Sequence, residues 1–191
     1  MEALKQLKTA IILLLIFTLL TGLIYPALVT SIAQLFFPFQ ANGSLIKYHN
    51  KLIGSELIGQ SFTNTGYFWG RPSATTPFPY NAENSSGSNL GPTNPDFLSA
   101  IKTRVITLQK SDPHKQRSIP VDLVTTSGSG LDPEISPFAA LYQVSRIAKA
   151  RGIPEQKILL LIQHLTKNRY LGILGEPRLN VLQLNLALDN L

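Results

Sequence analysis

An uninterrupted apolar run stands near the beginning of the chain. No residue between Thr9 and Ile46 is charged, and Leu, Ile, Val and Phe fill most of the 19 positions from Ile11 to Val29. A helix over those positions is about 28 Å long, close to the hydrocarbon thickness of a bilayer. Transfer of these side chains favours insertion by roughly 4 to 8 kcal/mol. The pattern predicts one transmembrane helix over residues 9–36.

The same run also resembles a cleavable signal peptide. Lys5 and Lys8 precede it as the basic segment of a signal peptide would, and Ser31-Ile32-Ala33 is similar to a cleavage site. However, the run is longer than the apolar segment of a signal peptide and continues through Leu35-Phe36-Phe37. We therefore expect the helix to be retained as an anchor.

Small residues interrupt the predicted membrane helix. Thr18, Thr21 and Gly22 give it small surfaces on which neighbouring helices can pack. Pro26 removes one backbone donor, and we expect it to kink the helix. These four residues predict packing of the helix within an oligomeric membrane complex.

The charged residues that flank the run predict its orientation. Lys5 and Lys8 precede it, whereas no basic residue follows it before Lys47. Cytoplasmic flanks carry the excess of Lys and Arg in membrane proteins. Residues 1–8 are therefore expected in the cytoplasm and residues 37–191 outside it, as a single-pass protein of the plasma membrane.

After the apolar run, short elements alternate with turns. Helix-start signals combine a capping side chain or a proline with a following apolar face. Such signals stand at Asn94, Ser136, Pro154 and Asn180. The segment 119–124 predicts a strand. Residues 66–95 mix Gly, Pro, Asn and Ser with aromatic side chains, which is typical of an irregular but ordered segment.

Composition narrows the fold and the function classes. Pro and Gly number 13 each, which favours a loop-rich domain over a helical bundle. The predicted fold class is α+β, with one N-terminal transmembrane helix followed by a single loop-rich soluble domain. The absence of cysteine excludes disulfides, thiolate zinc sites and a cysteine nucleophile. The net charge of +6 suits an acidic partner or the lipid of an anionic membrane surface. Nucleic acid is not expected, because the basic residues are scattered and have no aromatic platform beside them.

No pattern indicates a self-sufficient active site. The turn Ser127-Gly128-Ser129-Gly130 lacks the lysine that follows in a phosphate-binding loop. The histidines at positions 49, 114 and 164 have no metal-ligand spacing. We therefore expect no metal and no catalytic residue. One enzymatic alternative stays open, a membrane-anchored extracytoplasmic serine hydrolase that uses Ser127 or Ser129 with Asp132.

Five longer stretches resemble one known family. They are YFWGRPSA at 67–74, YNAENSSGSNLGPTNP at 80–95, VDLVTTSGSGLDPEISP at 121–137, QVSRIAKARG at 143–152 and LGEPRLNVLQLNLALDNL at 174–191. In these stretches, and in its N-terminal anchor, the chain resembles the C subunit of the bacterial Kdp potassium-transporting P-type ATPase. The resemblance covers nearly the whole chain in order. Glu134 departs from it, because many relatives carry His or Asn there.

The resemblance implies a function and a set of partners. The family subunit belongs to a four-part inner-membrane complex for high-affinity, ATP-driven potassium uptake. The other parts are a potassium-binding channel-like subunit, a P-type ATPase subunit and a small single-helix subunit. The C subunit is implied to be a non-catalytic chain that is needed for assembly and raises the ATP affinity of the ATPase subunit. ATP and potassium would then act through the partner subunits, without a cofactor on this chain.

The resemblance and the residue types also single out site residues. Direct nucleotide contact, if the family makes it, would fall on Gln143 and Arg146 in the QVSRIAKARG stretch. The alternative for these two residues is a polar helix face that packs on loops or on a partner. A cytoplasmic nucleotide-binding regulator with reversed topology is the second alternative that stays open. Polar side chains are predicted to hold the irregular segment by hydrogen bonds to its backbone. These are Arg71, Asn81, Asn89 and Asn94.

Overall fold

The computed structural model describes residues 1–113 and 118–191 of the chain. It has two compact units, Met1–Ile53 and Gly54–Leu191. His114, one of the histidines considered above, lies outside the described residues. The combination of helices with small sheets confirms the predicted α+β class.

The first unit is dominated by a long apolar helix. Residues Glu2–Phe36 are long and apolar enough to cross a membrane, and none of the most apolar stretch is buried within the protein. The helix consists of α1 (Glu2–Leu19), a π-helical turn (Leu20–Ile24) and α2 (Tyr25–Phe36). A short α3 (Pro38–Ala41) follows, then the paired strands β1 (Leu45–Tyr48) and β2 (Lys51–Ser55), the last two residues of which belong to the second unit.

The π-helical turn lies immediately before Pro26. The Tyr25 N–H bonds to the Leu20 carbonyl, which is one residue further back than in an α-helix. Pro26 has no N–H to donate. The Thr21 carbonyl would accept from residue 25 in an α-helix and from residue 26 in a π-helix. Neither bond forms, because the Tyr25 N–H bonds to Leu20 and Pro26 has no N–H. The proline changes the hydrogen bonding of the span at mid-length.

The second unit contains the remaining helices and a two-stranded antiparallel sheet. The helices are α4 (Pro95–Ser111), α5 (Pro137–Arg151), α6 (Glu155–Leu165) and α7 (Val181–Leu188). The sheet pairs β3 (Glu134–Ile135) with β4 (Leu179–Asn180). Short 3₁₀ turns lie at Ala82–Asn84 and Val121–Leu123.

The helix-start signals of the sequence are confirmed. The Asn94 side chain accepts a hydrogen bond from the Asp96 N–H at 2.8 Å, and α4 begins there. Ser136 caps α5 by accepting from Ala139, and Asn180 caps α7 by accepting from Gln183. At the other end of α5, Gly152 has φ of 66° in the left-handed region that glycine adopts without strain.

The predicted strand at 119–124 is wrong. The segment forms a 3₁₀ turn at Val121–Leu123, preceded by Pro120. The Asp122 carboxylate accepts a hydrogen bond from the Ser136 N–H at 2.8 Å, and this bond holds the turn against the start of α5. Apolar residues here serve as core contacts rather than as one face of a sheet, because Leu123 and Val124 are buried.

The core of the second unit lies between α5, α6 and α7. Ile147, Ile158 and Leu184 come from these helices and are fully buried. Phe68 joins them from the irregular segment and is also fully buried. Apart from the turn at Ala82–Asn84, residues 66–94 form neither helix nor strand, as the sequence predicts. Buried side chains and hydrogen bonds must therefore hold that segment in place.

Candidate functional site

The aromatic segment 65–69 is clamped to α5 by Gln143. Its Oε1 accepts from the Trp69 N–H at 2.7 Å, and its Nε2 donates to the Trp69 carbonyl at 3.0 Å. Nε2 also donates to the Ala139 carbonyl, one helical turn back. One amide side chain thus satisfies both backbone groups of Trp69, as a paired strand would.

Arg146 lies one helical turn after Gln143 and extends the clamp. Its guanidinium donates to the carbonyls of Thr65 and Tyr67 and, at 2.6 Å, to Gln143 Oε1. The same group lies over the Trp69 ring, 4.1 Å from the ring centre. Burial lowers the pKa of Arg146 to about 10, which a nearby carboxylate opposes. The guanidinium stays charged at neutral pH.

A second pair of side chains holds the segment from the other side. Asn185, on α7, accepts from the Phe68 N–H at 2.8 Å and donates to the Phe68 carbonyl at 3.0 Å. Arg151 donates to the Gly66 carbonyl and forms an ion pair with Asp189 at 2.7 Å. Sequence reasoning missed both residues. An isolated Asn inside the apolar stretch of α7 was the available signal.

Both residues that the sequence offered for nucleotide contact are therefore buried. The exposed fraction is 1% for Gln143 and 5% for Arg146. Their polar atoms bond to the backbone of this chain and to each other. The structure brings them together in one clamp and places them beneath the aromatic segment rather than on the surface.

Arg71 lies at the end of the aromatic segment and joins two loops. It pairs with Asp132 at 3.1 Å and donates to the Thr126 carbonyl at 3.2 Å. Among the described residues, its Nε atom is buried without a hydrogen-bond partner. The Tyr80 hydroxyl donates to the Arg71 carbonyl. Burial, aided by Asp132 and opposed by Arg71, raises the pKa of Tyr80 to about 12.

The three predicted asparagines lie at separate places along the irregular segment. Asn81 donates to the Thr76 carbonyl at 2.9 Å and caps the following 3₁₀ turn. Asn94 caps α4. Asn89 has left-handed backbone, with φ of 50°, in a loop that lies against Gly128. Asn81 and Asn94 therefore each hold a separate turn of the segment, and Asn89 supplies a left-handed backbone position rather than a bond to a common cluster.

The serine-rich turn is locked into the loop that faces it. Ser127 Oγ accepts from the Gly130 N–H at 2.9 Å, and Ser129 Oγ accepts from the Leu131 N–H at 3.1 Å. Ser73 donates to the Gly130 carbonyl at 2.7 Å. Asp132 pairs with Arg71 as described above. Within the described parts of the chain, no group of potential metal ligands forms a metal site.

A groove of about 710 Å³ runs beside the Arg71–Asp132 pair. One wall is apolar and includes Val121 and Phe138, which are exposed. The other end carries charged groups, including Arg178. The groove is open to solvent. Most of its charged groups are in ion pairs, and Asp122 accepts a hydrogen bond from the Ser136 N–H. These features fit a contact surface better than a reaction chamber.

The predicted packing residues of the membrane helix are all exposed in the single chain. Thr21 donates its hydroxyl proton to the Phe17 carbonyl at 2.7 Å. A Cβ atom added to Gly22 would meet nothing within 4 Å. Gly22 lies in the π-helical turn, and Thr18 and Pro26 lie just before and after it.

Comparisons with known proteins agree on one family. The family model described as "K+-transporting ATPase, c chain" matches residues 7–190. A potassium-transporting ATPase KdpC subunit of Methylococcus capsulatus is 58% identical over 184 residues, covering 96% of this chain and 97% of that protein. The KdpC subunit of Polaromonas naphthalenivorans is 56% identical over 185 residues, covering 97% and 94%. That of Herpetosiphon aurantiacus is 58% identical over 184 residues, covering 96% and 95%.

Proposed function

We propose, from the premise that this chain belongs to the KdpC family of K+-transporting ATPase c chains, that it is a non-catalytic accessory subunit of an ATP-driven potassium uptake complex. It supports assembly of the complex and raises the ATP affinity of the ATP-hydrolysing subunit. Its partners are a potassium-binding channel-like subunit, a P-type ATPase subunit and a small single-helix subunit. The soluble domain docks on the channel-like subunit near the entrance for potassium.

The buried clamp is the observation that carries this proposal. The polar atoms of Gln143 and Arg146 form hydrogen bonds with the backbone of residues 65–69. A nucleotide could reach these atoms only if it displaced that segment. Displacement would leave buried backbone groups unpaired, at about 1–3 kcal/mol for each. This favours an effect on ATP affinity that arises through contacts between subunits.

Such an indirect effect needs little free energy. A tenfold change in ATP affinity corresponds to about 1.4 kcal/mol of coupling between the two sites. A docked domain supplies this if it contacts one conformation of the transport subunit better than another. No nucleotide has to touch the accessory chain.

The membrane helix anchors the subunit and packs on the channel-like subunit. The Thr21 carbonyl lacks a helical donor, and an unpaired carbonyl in hydrocarbon costs several kcal/mol. A hydroxyl or amide donor on a neighbouring helix relieves that cost. Gly22 and Pro26 let such a helix approach closely, because neither projects a long side chain.

The proposed topology has its N-terminus in the cytoplasm and its domain outside. The chain is free of cysteine, so single cysteine variants report their own location. Gln156→Cys, on the exposed side of α6, marks the domain, and Ala3→Cys marks the N-terminus. A membrane-impermeant maleimide should label Gln156→Cys in intact cells and Ala3→Cys only after lysis. The reverse pattern would contradict the topology and bring ATP within reach of the domain.

The effect on ATP affinity is tested with purified complexes. The ATP-hydrolysing subunit purified without this chain should show a higher KM for ATP than the complete complex. In the same buffer, equilibrium dialysis of the purified chain against labelled ATP should show no binding. Binding of ATP to the purified chain at the KM concentration would refute the indirect mechanism. An unchanged KM without the chain would refute its role in ATP affinity.

A further inference from the structure

A short hairpin carries a cluster of exposed apolar side chains. Residues 170–174, here called the apolar tip, contain Tyr170, Leu171, Ile173 and Leu174. Their exposed fractions are 71%, 76%, 74% and 57%. Soluble surfaces rarely expose large apolar side chains contiguously unless the patch binds something. The tip belongs neither to the clamp at residues 65–69 nor to the groove beside Arg71.

Backbone hydrogen bonds make the tip rigid. Tyr170 and Leu174 exchange two bonds, N–H to carbonyl, at 2.8 and 3.0 Å. At the base of the hairpin, Lys167 and Arg178 exchange two more, at 2.9 and 3.0 Å. A contact surface that is already ordered loses little conformational entropy when it binds. The hairpin therefore presents its apolar side chains in a prearranged form.

Leu171 is unfavourable for the stability of the isolated domain. Its φ of 52° lies in the left-handed region, which leucine occupies at a cost and which Asn or Gly adopts readily. Its side chain also lies in solvent, so it contributes nothing to the core. An apolar side chain that is both strained and exposed serves the domain only if a partner covers it.

The charges around the tip favour protein over lipid as that partner. At the base, Lys167 pairs with Glu56 at 2.6 Å and Arg178 pairs with Glu134 at 2.9 Å. Beside the tip, Arg169 pairs with Glu176 at 2.7 Å. These ion pairs give the surroundings of the tip no excess of positive charge. Anionic headgroups attract loops with free Lys and Arg side chains, whereas a neutral rim suits an apolar pocket in a protein.

We propose that the apolar tip inserts into an apolar pocket on the channel-like subunit of the same complex. This rests on the proposed function, in which the soluble domain docks on that subunit. The tip supplies the anchoring side chains of the interface, and the ion pairs at its base form the polar rim. The pocket must accept one aromatic and three aliphatic side chains at the end of a narrow hairpin.

The substitution Leu171→Asn separates binding from folding. Asn suits the left-handed backbone, so the thermal unfolding temperature of the purified chain should stay the same or rise. The fraction that co-purifies with the partner subunits should correspond to affinity lower by roughly tenfold or more, as for the loss of an anchoring side chain. Leu160→Asn is the matched control, because Leu160 is 56% exposed and belongs to α6 rather than to the hairpin. Equal co-purification of the Leu171→Asn and wild-type chains would refute the proposal.

A fluorescent label identifies what covers the tip. Leu171→Cys carries an environment-sensitive fluorophore, and the labelled chain is reconstituted into bilayers with and without the partner subunits. The proposal expects blue-shifted emission that requires the partners and is not quenched by spin-labelled lipids. Quenching by those lipids would place the tip in the membrane, and unshifted emission would leave it in solvent. Either outcome overturns the proposal.

The two proposals fail in distinguishable ways. If the tip does not dock, Leu171→Asn leaves both assembly and the KM for ATP as in the wild type. The wild-type chain would still lower the KM for ATP when it is added to the other subunits. If that effect is absent as well, the proposed function itself is wrong. The fluorescent label therefore tests docking of the apolar tip, and the KM measurement tests the proposed effect on ATP affinity.

Discussion

The clamp on the aromatic segment gives the sharpest test of the structure. Gln143→Leu keeps the approximate volume of the side chain and removes its hydrogen-bonding groups. The Trp69 N–H and carbonyl then lose their partner, and both lie at a partly buried position. The substitution leaves the remaining bonds of Arg146 to the backbone in place. The loss is therefore confined to the bonds of Gln143, which include the one that it accepts from Arg146.

The expected loss of stability follows from the unpaired groups. Each buried donor or acceptor left without a partner costs about 1–3 kcal/mol, so two give about 2–6 kcal/mol. For a protein of this size, 1 kcal/mol shifts the midpoint of thermal unfolding by about 2–4 °C. We expect Gln143→Leu to lower the Tm by roughly 4 to 24 °C.

The assay is thermal unfolding of the full chain in detergent, followed by circular dichroism. Lys149→Leu is the control, because it adds leucine at an exposed position of the same helix and should change stability by less than about 0.5 kcal/mol. The KM for ATP of the assembled complex is measured at a temperature where both variants are folded. It should match the wild type for both.

Two results would refute the reasoning. An unchanged Tm for Gln143→Leu would mean that the amide does not hold the aromatic segment. A KM for ATP that rises tenfold while the domain stays folded would mean that Gln143 acts on nucleotide binding. That second result would restore the direct contact that the sequence left open.

Further predictions concern a glycine, a tyrosine and a proline. A Cβ at Gly130 would lie 2.5 Å from the Ser86 carbonyl oxygen, so Gly130→Ala should lower the Tm by several degrees. Gly128→Ala meets nothing within 4 Å and should not. The pKa of Tyr80 is raised from 10.0 to about 12, so the unfolded chain loses this proton first. Its stabilisation is complete below pH 10 and is lost as the pH rises to 12. Alkaline unfolding of Tyr80→Phe should therefore depend less steeply on pH, and equal slopes would contradict the assignment. Pro26→Ala restores a helical donor at mid-span, so it should weaken co-purification with the other subunits. Unchanged co-purification would mean that no partner helix depends on that carbonyl.

Helix boundaries could be predicted because their signals are local. Asn94, Ser136 and Asn180 each cap a helix through bonds to residues two or three positions away. Gly152 ends α5 by its own backbone conformation. Such interactions join neighbouring residues and do not depend on the tertiary fold, so they can be recognised from the sequence alone.

The predicted strand at 119–124 shows where local pattern fails. A short apolar run suits a buried strand and a buried turn equally well. The hydrogen bond between Asp122 and the Ser136 N–H favours the turn over a strand. The apolar pattern of residues 119–124 does not predict that bond, because Ser136 lies outside the run. The exposed apolar tip was missed for a related reason. The apolar residues at 170–174 are of types that usually belong to the core, and only the tertiary structure shows that they are exposed.

The sequence by itself determined the membrane anchor, the family and the helices of the soluble domain, because long apolar runs, extended motifs and caps are read from neighbouring residues. Only the tertiary structure decided the roles of Gln143 and Asn185. Their partners lie 74 and 117 residues away along the chain. Hydrogen bonding at that separation depends on how α5 and α7 pack around Phe68, and packing is a property of the whole domain. Gln143 and Asn185 are polar, yet both are buried and hold the aromatic segment by hydrogen bonds to its backbone.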